Sequence, residues 1–170
     1  MLTKAWIVVF VCGVTLYTTD AQITGWTVPS ITGAASGTGA AAITFPENQV
    51  TGATSTTFAA TPTSSDSIAS YTLLTTGTPF SVTSSSGLLT LDSALDFETT
   101  ASYTIKIQAI DNNASRHSGT ATVSITVTDV NEAPTFSAKS FTACVADAST
   151  AGQSVTTLTA IDQDAGDTIT

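Results

Sequence analysis

Two stretches near the middle of the chain alternate apolar and polar residues, and this alternation limits the possible folds more than any other feature of the sequence. Residues 101–110 (ASYTIKIQAI) place Ile105, Ile107 and Ala109 on one side, and residues 120–127 (TATVSITV) repeat the pattern. A period of two is typical of a half-buried β-strand. Each of these two stretches is therefore predicted to be a half-buried strand.

Five shorter apolar runs between residues 43 and 128, separated by glycine and proline, bring the number of predicted strands in this stretch to seven. No segment after the first 21 residues shows a convincing helical period. Seven short strands within about 100 residues are typical of a Greek-key β-sandwich. We therefore predict an all-β fold of the immunoglobulin-like type.

Residues 1–21 have the composition of a secretory signal peptide, with Lys4, an apolar run and a short cleavage site before Gln22. The apolar run has twelve residues, whereas a helix that spans a membrane needs about 20. We therefore expect an extracellular protein. Cleavage would also remove Cys12 and leave Cys144 alone, so that no disulfide forms within the chain and the fold depends on its core or on metal.

The rest of the chain divides into three parts. Residues 22–42 are rich in small residues, which predicts a flexible N-terminal segment. When the chain is compared with itself at an offset of 100, Phe58 lies over Leu158 within a short similar stretch. A period near 100 corresponds to one sandwich domain. We therefore predict tandem repeats, with residues 43–132 as repeat 1 and residues 133–170 as the truncated start of repeat 2.

Acids dominate the few charges of the chain. Only 10% of the residues are charged, and 13 of these 17 residues are acids, so the chain lacks the basic patch that a nucleic acid partner requires. Seven of the acids lie at predicted strand ends or in loops: Glu47, Asp96, Glu98, Asp129, Glu132, Asp162 and Asp164. In a sandwich, these loops can meet where the last strand of repeat 1 leads into repeat 2.

Several carboxylates at one junction repel each other and raise one another's pKa. A hard divalent cation relieves this repulsion, and calcium takes about 6–8 oxygen ligands at about 2.3–2.6 Å. The acid pattern therefore predicts a Ca²⁺ site at the junction.

Five ordered motifs together resemble the cadherin repeat. They are PEN (46–48), LDFE (95–98), AID (109–111), DVNEAPTF (129–136) and DQDAG (162–166). The resemblance implies a rod of β-sandwich repeats that bind Ca²⁺ between neighbours, stiffen on binding and mediate calcium-dependent cell adhesion. It implies other cadherin-type ectodomains as partners, homophilic or heterophilic. It also implies a cell-surface location through a membrane segment outside this chain, or secretion if no such segment exists.

The resemblance further implies three calcium ions at the junction. The ion nearest repeat 1 would be held by Glu47, Asp96, Glu98 and Glu132. The middle ion would be held by Glu47, Glu98, Glu132, Asp129, the Val130 carbonyl and Asp164. The third ion would be held by Asn131, Asp162 and Asp164.

The sequence departs from the family pattern in two places. Pro62 and Ser64 stand where an inner repeat carries its D-x-D loop, as expected for a first repeat. Asp111, which matches a ligand of the preceding junction in inner repeats, is therefore expected to be idle. The DVNEAP linker is one residue shorter than the DVNDNxP of the family, and this departure concerns the backbone ligand of the third ion.

Three further residues carry separate predictions. His117 is predicted to be a solvent-exposed loop residue, because no partner acid and nucleophile surround it in a recognisable setting. Asn113 begins an N-x-S sequon on the same loop and is a predicted glycosylation site. Trp26 is predicted to be an apolar anchor or part of a disordered tail rather than the residue of an exchanged strand.

The same sequence features are compatible with three alternatives to an adhesion protein. The repeats of a secreted structural or matrix spacer would bind calcium and only set length and stiffness. The acids could also form an ordinary solvated surface. Asp96 and Glu98 could form a glycosidase pair, but such a pair needs one carboxyl group in an apolar cleft. Because small polar residues flank LDFE, no enzymatic activity is expected.

Overall fold

The computed structural model describes residues 22–63 and 65–167, so the predicted signal peptide lies outside the described residues. This part of the chain forms twelve strands and no helix, which confirms the predicted all-β class. The strands are β1 (Ile23–Val28), β2 (Gly37–Thr38), β3 (Ile43–Pro46), β4 (Thr54–Thr57), β5 (Ala59–Pro62), β6 (Ile68–Leu73), β7 (Phe80–Val82), β8 (Leu88–Leu91), β9 (Ser102–Asp111), β10 (Ser118–Thr128), β11 (Thr135–Phe136) and β12 (Ala160–Ile161).

The first ten strands form a β-sandwich. In one layer, β10 pairs with β9 and β9 with β6, all antiparallel, while β2 and β3 pair in parallel with the other edge of β10. The other layer contains the sheet β4–β8–β7 and the pair β1–β5. β3 pairs with the last four residues of β10. The residue after β3 therefore lies next to the point where the chain leaves the sandwich, which we call the exit of the sandwich.

The core is built from the side chains that alternate along the strands. Ile105, Ile107 and Ile125 are fully buried, which confirms the predicted inward faces of β9 and β10. Between the layers, the ring of Phe80 lies 5.5 Å from that of Phe45 and 5.4 Å from that of Tyr103, measured between centroids. These aromatic contacts join the two layers near the C-terminal end of β10.

The prediction of a flexible segment at residues 22–42 is wrong. β1 pairs with β5, and Trp26 is only 3% exposed. The indole Nε1 of Trp26 donates a hydrogen bond to the Ala35 carbonyl at 3.0 Å, and Ser36 Oγ accepts one from Thr120 N. A few apolar side chains, separated by small residues, enter the core of the sandwich and order the segment. Of the two roles predicted for Trp26, the structure therefore shows the apolar anchor and not the disordered tail.

The exposed-loop prediction for His117 is also wrong. Its ring Nδ1 lies 3.0 Å from Asp111 Oδ2, and its side chain is only 21% exposed. Asp111, expected to be idle, is fully buried, and its Oδ1 accepts hydrogen bonds from the backbone N–H groups of Asn113 and His117. A buried carboxylate needs such partners, and here they close the turn between β9 and β10.

The residues after β10 form one small antiparallel pair, β11–β12. Val145 and Leu158 are about half exposed, although the residues 100 positions earlier, Phe45 and Phe58, belong to the core of the sandwich. The apolar positions of the predicted second repeat therefore remain largely uncovered. Cys144 is an exposed free thiol. Within the residues that the structure describes, no helix is long and apolar enough to cross a membrane.

Candidate metal centre

Glu47 follows β3 directly and lies at the exit of the sandwich. Its backbone N–H donates to the Thr128 carbonyl at 3.1 Å, which continues the pairing of β3 with β10. Its carboxylate is buried and accepts two backbone hydrogen bonds of 2.8 Å, Oε2 from Phe97 N and Oε1 from Val130 N. One side chain thus contacts the loop before β9 and the linker after β10.

The loop before β9 carries Asp96 and Glu98. Asp96 shapes this loop, because its carboxylate accepts hydrogen bonds from the backbone N–H and the hydroxyl of Thr99 at 3.0 and 2.9 Å. In the resulting turn, carboxylate oxygens of Glu47, Asp96 and Glu98 lie within 4.8 Å of one another. Two ligands of one calcium ion can be at most about 5 Å apart, so this spacing suits a shared ion.

The linker residues 129–132 connect this cluster to the second part of the chain. The backbone N–H of Glu132 donates to Asp164 Oδ2 at 2.8 Å, and the side-chain amide of Asn131 donates to the Glu132 carbonyl at 2.6 Å. Asp129 forms a second group with Glu98 and Asp164, again within 4.8 Å. Carboxylates from both sides of the linker therefore meet.

A third group lies after β12 and consists of Asp162, Asp164 and Asp167. A tight turn brings them together, in which Asp164 N donates to Asp162 Oδ1 at 3.2 Å and Gly166 has a φ of +105°. That φ is readily available only to glycine. Sequence reasoning missed Asp167, although a third acid directly after the glycine of DQDAG was the available signal.

The electrostatics of the junction show uncompensated negative charge. Desolvation raises the pKa of Glu98, Asp129 and Glu132, and neighbouring carboxylates raise these pKa values further, Glu47 acting on Glu98 and Glu132 and Asp164 acting on Asp129. Glu132 Oε2 and Asp164 Oδ1 are buried without a hydrogen-bond partner. Such groups are costly unless a cation or donor satisfies them. A set of oxygen ligands with this charge fits a hard divalent cation.

The structure brings most of the predicted ligands together. Six of the seven predicted acids fall into the three groups, and Glu132, the seventh, is close enough for Glu47 and Asp164 to raise its pKa. Val130 contacts the site through its N–H, and the Asn131 side chain is engaged with the Glu132 carbonyl. The role of each residue as a calcium ligand stays a prediction.

The comparisons with known proteins point in one direction. Residues 41–128, just over half of the chain, match the family model of the cadherin domain. The chain is 46% identical to mouse (Mus musculus) Cadherin-23 over 76 residues, which is 43% of this chain and 2% of the relative. It is 38% identical to the protocadherin-like wing polarity protein stan of Drosophila melanogaster over 88 residues, 51% of this chain and 2% of the relative.

Among solved structures, that of mouse Cadherin-23 EC22-24 is similar, with a TM-score of 0.54 and 29% identity over 86% of this chain and 45% of that one. The matched part of the chain spans 2% of the length of Cadherin-23 and of the stan protein, and 45% of the solved Cadherin-23 fragment.

Proposed function

Because this chain belongs to the cadherin family, we propose that it is part of a calcium-dependent adhesion protein and that Ca²⁺ bound at its junction stiffens repeat 1 against the segment that follows. The observation that supports this most directly is the meeting of three carboxylate groups from both sides of the linker, each within 4.8 Å. The unpartnered oxygens of Glu132 and Asp164 support the same conclusion, since they lie at that meeting point.

The proposed ligands combine the three carboxylate groups that lie together with Glu132, Asn131 and the Val130 carbonyl, which the resemblance to the cadherin repeat implies. Glu47, Asp96 and Glu98 would hold the ion nearest repeat 1, together with Glu132. Glu98, Asp129 and Asp164 would hold the middle ion, together with Glu47, Glu132 and the Val130 carbonyl. Asp162, Asp164 and Asn131 would hold the third ion, and Asp167 joins this set.

Bound calcium would supply the positive charge that neutralises the carboxylates of the junction. Without it, the carboxylates of the loop before β9, the linker and the turn after β12 repel one another. These carboxylates lie on three different segments of the chain. Neutralising them therefore favours a single arrangement of the loop before β9, the linker and the turn after β12. Glu98 and Asp164 each belong to two groups, which predicts that binding at neighbouring positions is cooperative.

Calorimetric titration of the protein with Ca²⁺, combined with thermal melting, tests the proposal. We expect saturable binding of about three ions and a Tm that rises with calcium concentration. Asp92→Asn is a suitable control, because Asp92 is exposed and outside the three groups. No heat of binding and an unchanged Tm would contradict the proposal.

The proposed partners are other cadherin-type ectodomains, homophilic or heterophilic, at the cell surface, and no enzymatic role is proposed. A secreted calcium-binding spacer is the second candidate, and the burial of Trp26 in the core of its own repeat favours it, since that side chain is unavailable to a partner. An aggregation assay with beads coated with the protein distinguishes the adhesion proposal from the spacer proposal. Ca²⁺-dependent aggregation of these beads, either with each other or with beads that carry related ectodomains, supports adhesion. Calcium binding without either kind of aggregation supports a spacer.

A further inference from the structure

Glu47 differs from the other acids of the junction. Of those that the structure describes, it alone is buried, with 7% exposure. Both of its carboxylate oxygens are already engaged, each by one backbone N–H at 2.8 Å. By contrast, Glu132 Oε2 and Asp164 Oδ1 are buried without a partner. Satisfied and unsatisfied carboxylates therefore lie side by side. Each oxygen of Glu47 keeps a second lone pair for a cation, so Glu47 can hold the two loops in addition to acting as a ligand.

The two N–H groups bound by Glu47 come from separate parts of the chain. Phe97 lies 50 residues away in the sequence and Val130 lies 83 residues away. Phe97 stands between the candidate ligands Asp96 and Glu98, and Val130 stands between Asp129 and Asn131. Holding these two backbone positions therefore places the neighbouring ligands through hydrogen bonds within the chain itself.

The strength of this arrangement follows from its chemistry. A hydrogen bond from a backbone N–H to an ionised carboxylate is stronger than a neutral one. The backbone of Glu47 is itself fixed, because its N–H continues the pairing of β3 with β10. The side chain thus extends from a rigid part of the sandwich to two loops.

We propose that Glu47 is a positioning residue that clasps the loop before β9 and the linker together in the calcium-free protein. The half of the junction on repeat 1 is then formed before calcium arrives. The turn that carries Asp162, Asp164 and Asp167 completes the site from the other side. The benefit of the clasp for calcium binding rests on the proposed function, whereas its presence in the calcium-free protein does not.

Residue-resolved amide hydrogen exchange and amide proton shifts, measured by NMR in the presence of EDTA, test the clasp. In the unmodified protein, we expect the amides of Phe97 and Val130 to be protected without calcium. Glu47→Gln keeps only one acceptor oxygen, so at least one of these two amides should exchange at least about tenfold faster and lose its downfield shift. The core amides of Ile107 and Ile125 should keep their protection, which distinguishes loss of the clasp from general destabilisation.

Asp92→Asn is the matched control, because it neutralises an exposed carboxylate outside the three groups and leaves both hydrogen bonds of Glu47 in place. It should leave the exchange of Phe97 and Val130 unchanged in EDTA. If these two amides are unprotected in the calcium-free unmodified protein and become protected only when Ca²⁺ is added, the clasp does not exist. That measurement needs no variant, so a failure of Glu47→Gln to fold leaves the test intact.

The same samples separate the clasp from the calcium proposal. Protection in EDTA together with an absence of any response to Ca²⁺ would support the clasp and refute calcium binding. Protection that appears only with Ca²⁺ would support calcium binding and refute the clasp.

Discussion

At the scale of single residues, the two buried carboxylates of the first repeat lie at opposite ends of the sandwich and are stabilised in the same way, by backbone N–H groups. Glu47 and Asp111 are its buried charged side chains among the described residues, and each accepts two backbone hydrogen bonds. Asp111 adds the imidazole of His117. At one end the bonded carboxylate closes a turn, and at the other it lies beside exposed acids that remain uncompensated.

Glu98 belongs to two of the three carboxylate groups, so its loss should affect both. We expect Glu98→Gln to weaken calcium binding by at least about tenfold, as for other changes around bound metals, and to reduce cooperativity. Calorimetric titration beside Asp92→Asn, which should bind like the unmodified protein, measures the effect. Unchanged affinity in Glu98→Gln would mean that the assigned ligands are wrong.

The raised pKa of Glu132 predicts an unusual pH dependence in the calcium-free protein. The folded state binds this proton more tightly than the unfolded state, so the stability that the group contributes is present at low pH and is lost as the pH rises through the raised pKa. Glu132→Gln removes the ionisable group. In EDTA, we expect it to raise Tm at neutral pH and to have no effect near or below about pH 4, where the carboxyl is protonated.

Thermal melting across this pH range, with Asp92→Asn as the control, measures the difference. A Tm of Glu132→Gln below that of the unmodified protein at neutral pH would contradict the repulsion inferred for the junction. With saturating calcium the sign should reverse, because the variant then lacks a ligand.

At the scale of elements, the N-terminal segment is part of the sandwich rather than an appendage. β1 pairs with β5, while β2 and β3 line the edge of β10. The edge of a sheet is exposed to unwanted pairing unless it is covered. The segment thus fills the core with Trp26 and, through β2, covers the part of this edge that precedes β3.

This arrangement predicts a large effect of Trp26→Ala. Truncation of a buried tryptophan costs about 3–5 kcal/mol, and the lost hydrogen bond to Ala35 adds about 1 kcal/mol. Urea unfolding in EDTA measures the change in the free energy of unfolding. Thr44→Ala, at an exposed position of β3, should change it by less than about 0.5 kcal/mol. A small effect of Trp26→Ala would show that the segment is not packed as described.

At the scale of the whole molecule, charge is concentrated at the junction. The twelve described strands carry only two charged residues, Lys106 and Asp111. Eight acids lie at the junction instead: Glu47, Asp96, Glu98, Asp129, Glu132, Asp162, Asp164 and Asp167. The faces of the sandwich are therefore nearly neutral, whereas the junction is strongly negative.

This distribution predicts that salt and calcium act on the same part of the molecule. The Debye length falls from about 30 Å at 0.01 M to about 8 Å at 0.15 M salt. In EDTA, added NaCl should therefore raise Tm by screening the acids of the junction. With saturating Ca²⁺ the rise should disappear, since the charge is already neutralised. Equal responses in both conditions would place the salt effect elsewhere in the molecule.

The amino-acid sequence alone predicts the all-β class and the inward faces of β9 and β10, because alternation along a strand is a local property of the backbone. It also placed seven acids in loops that meet at one junction, since these loops carry the motifs of the cadherin repeat. The order of residues 22–42, the pairing of His117 with Asp111 and the bonds of Glu47 emerge only in the packed structure. The first and the last of these depend on groups distant in sequence, up to 84 residues for Ser36 and Thr120. Burial and hydrogen bonding across such separations exist only once the chain has packed.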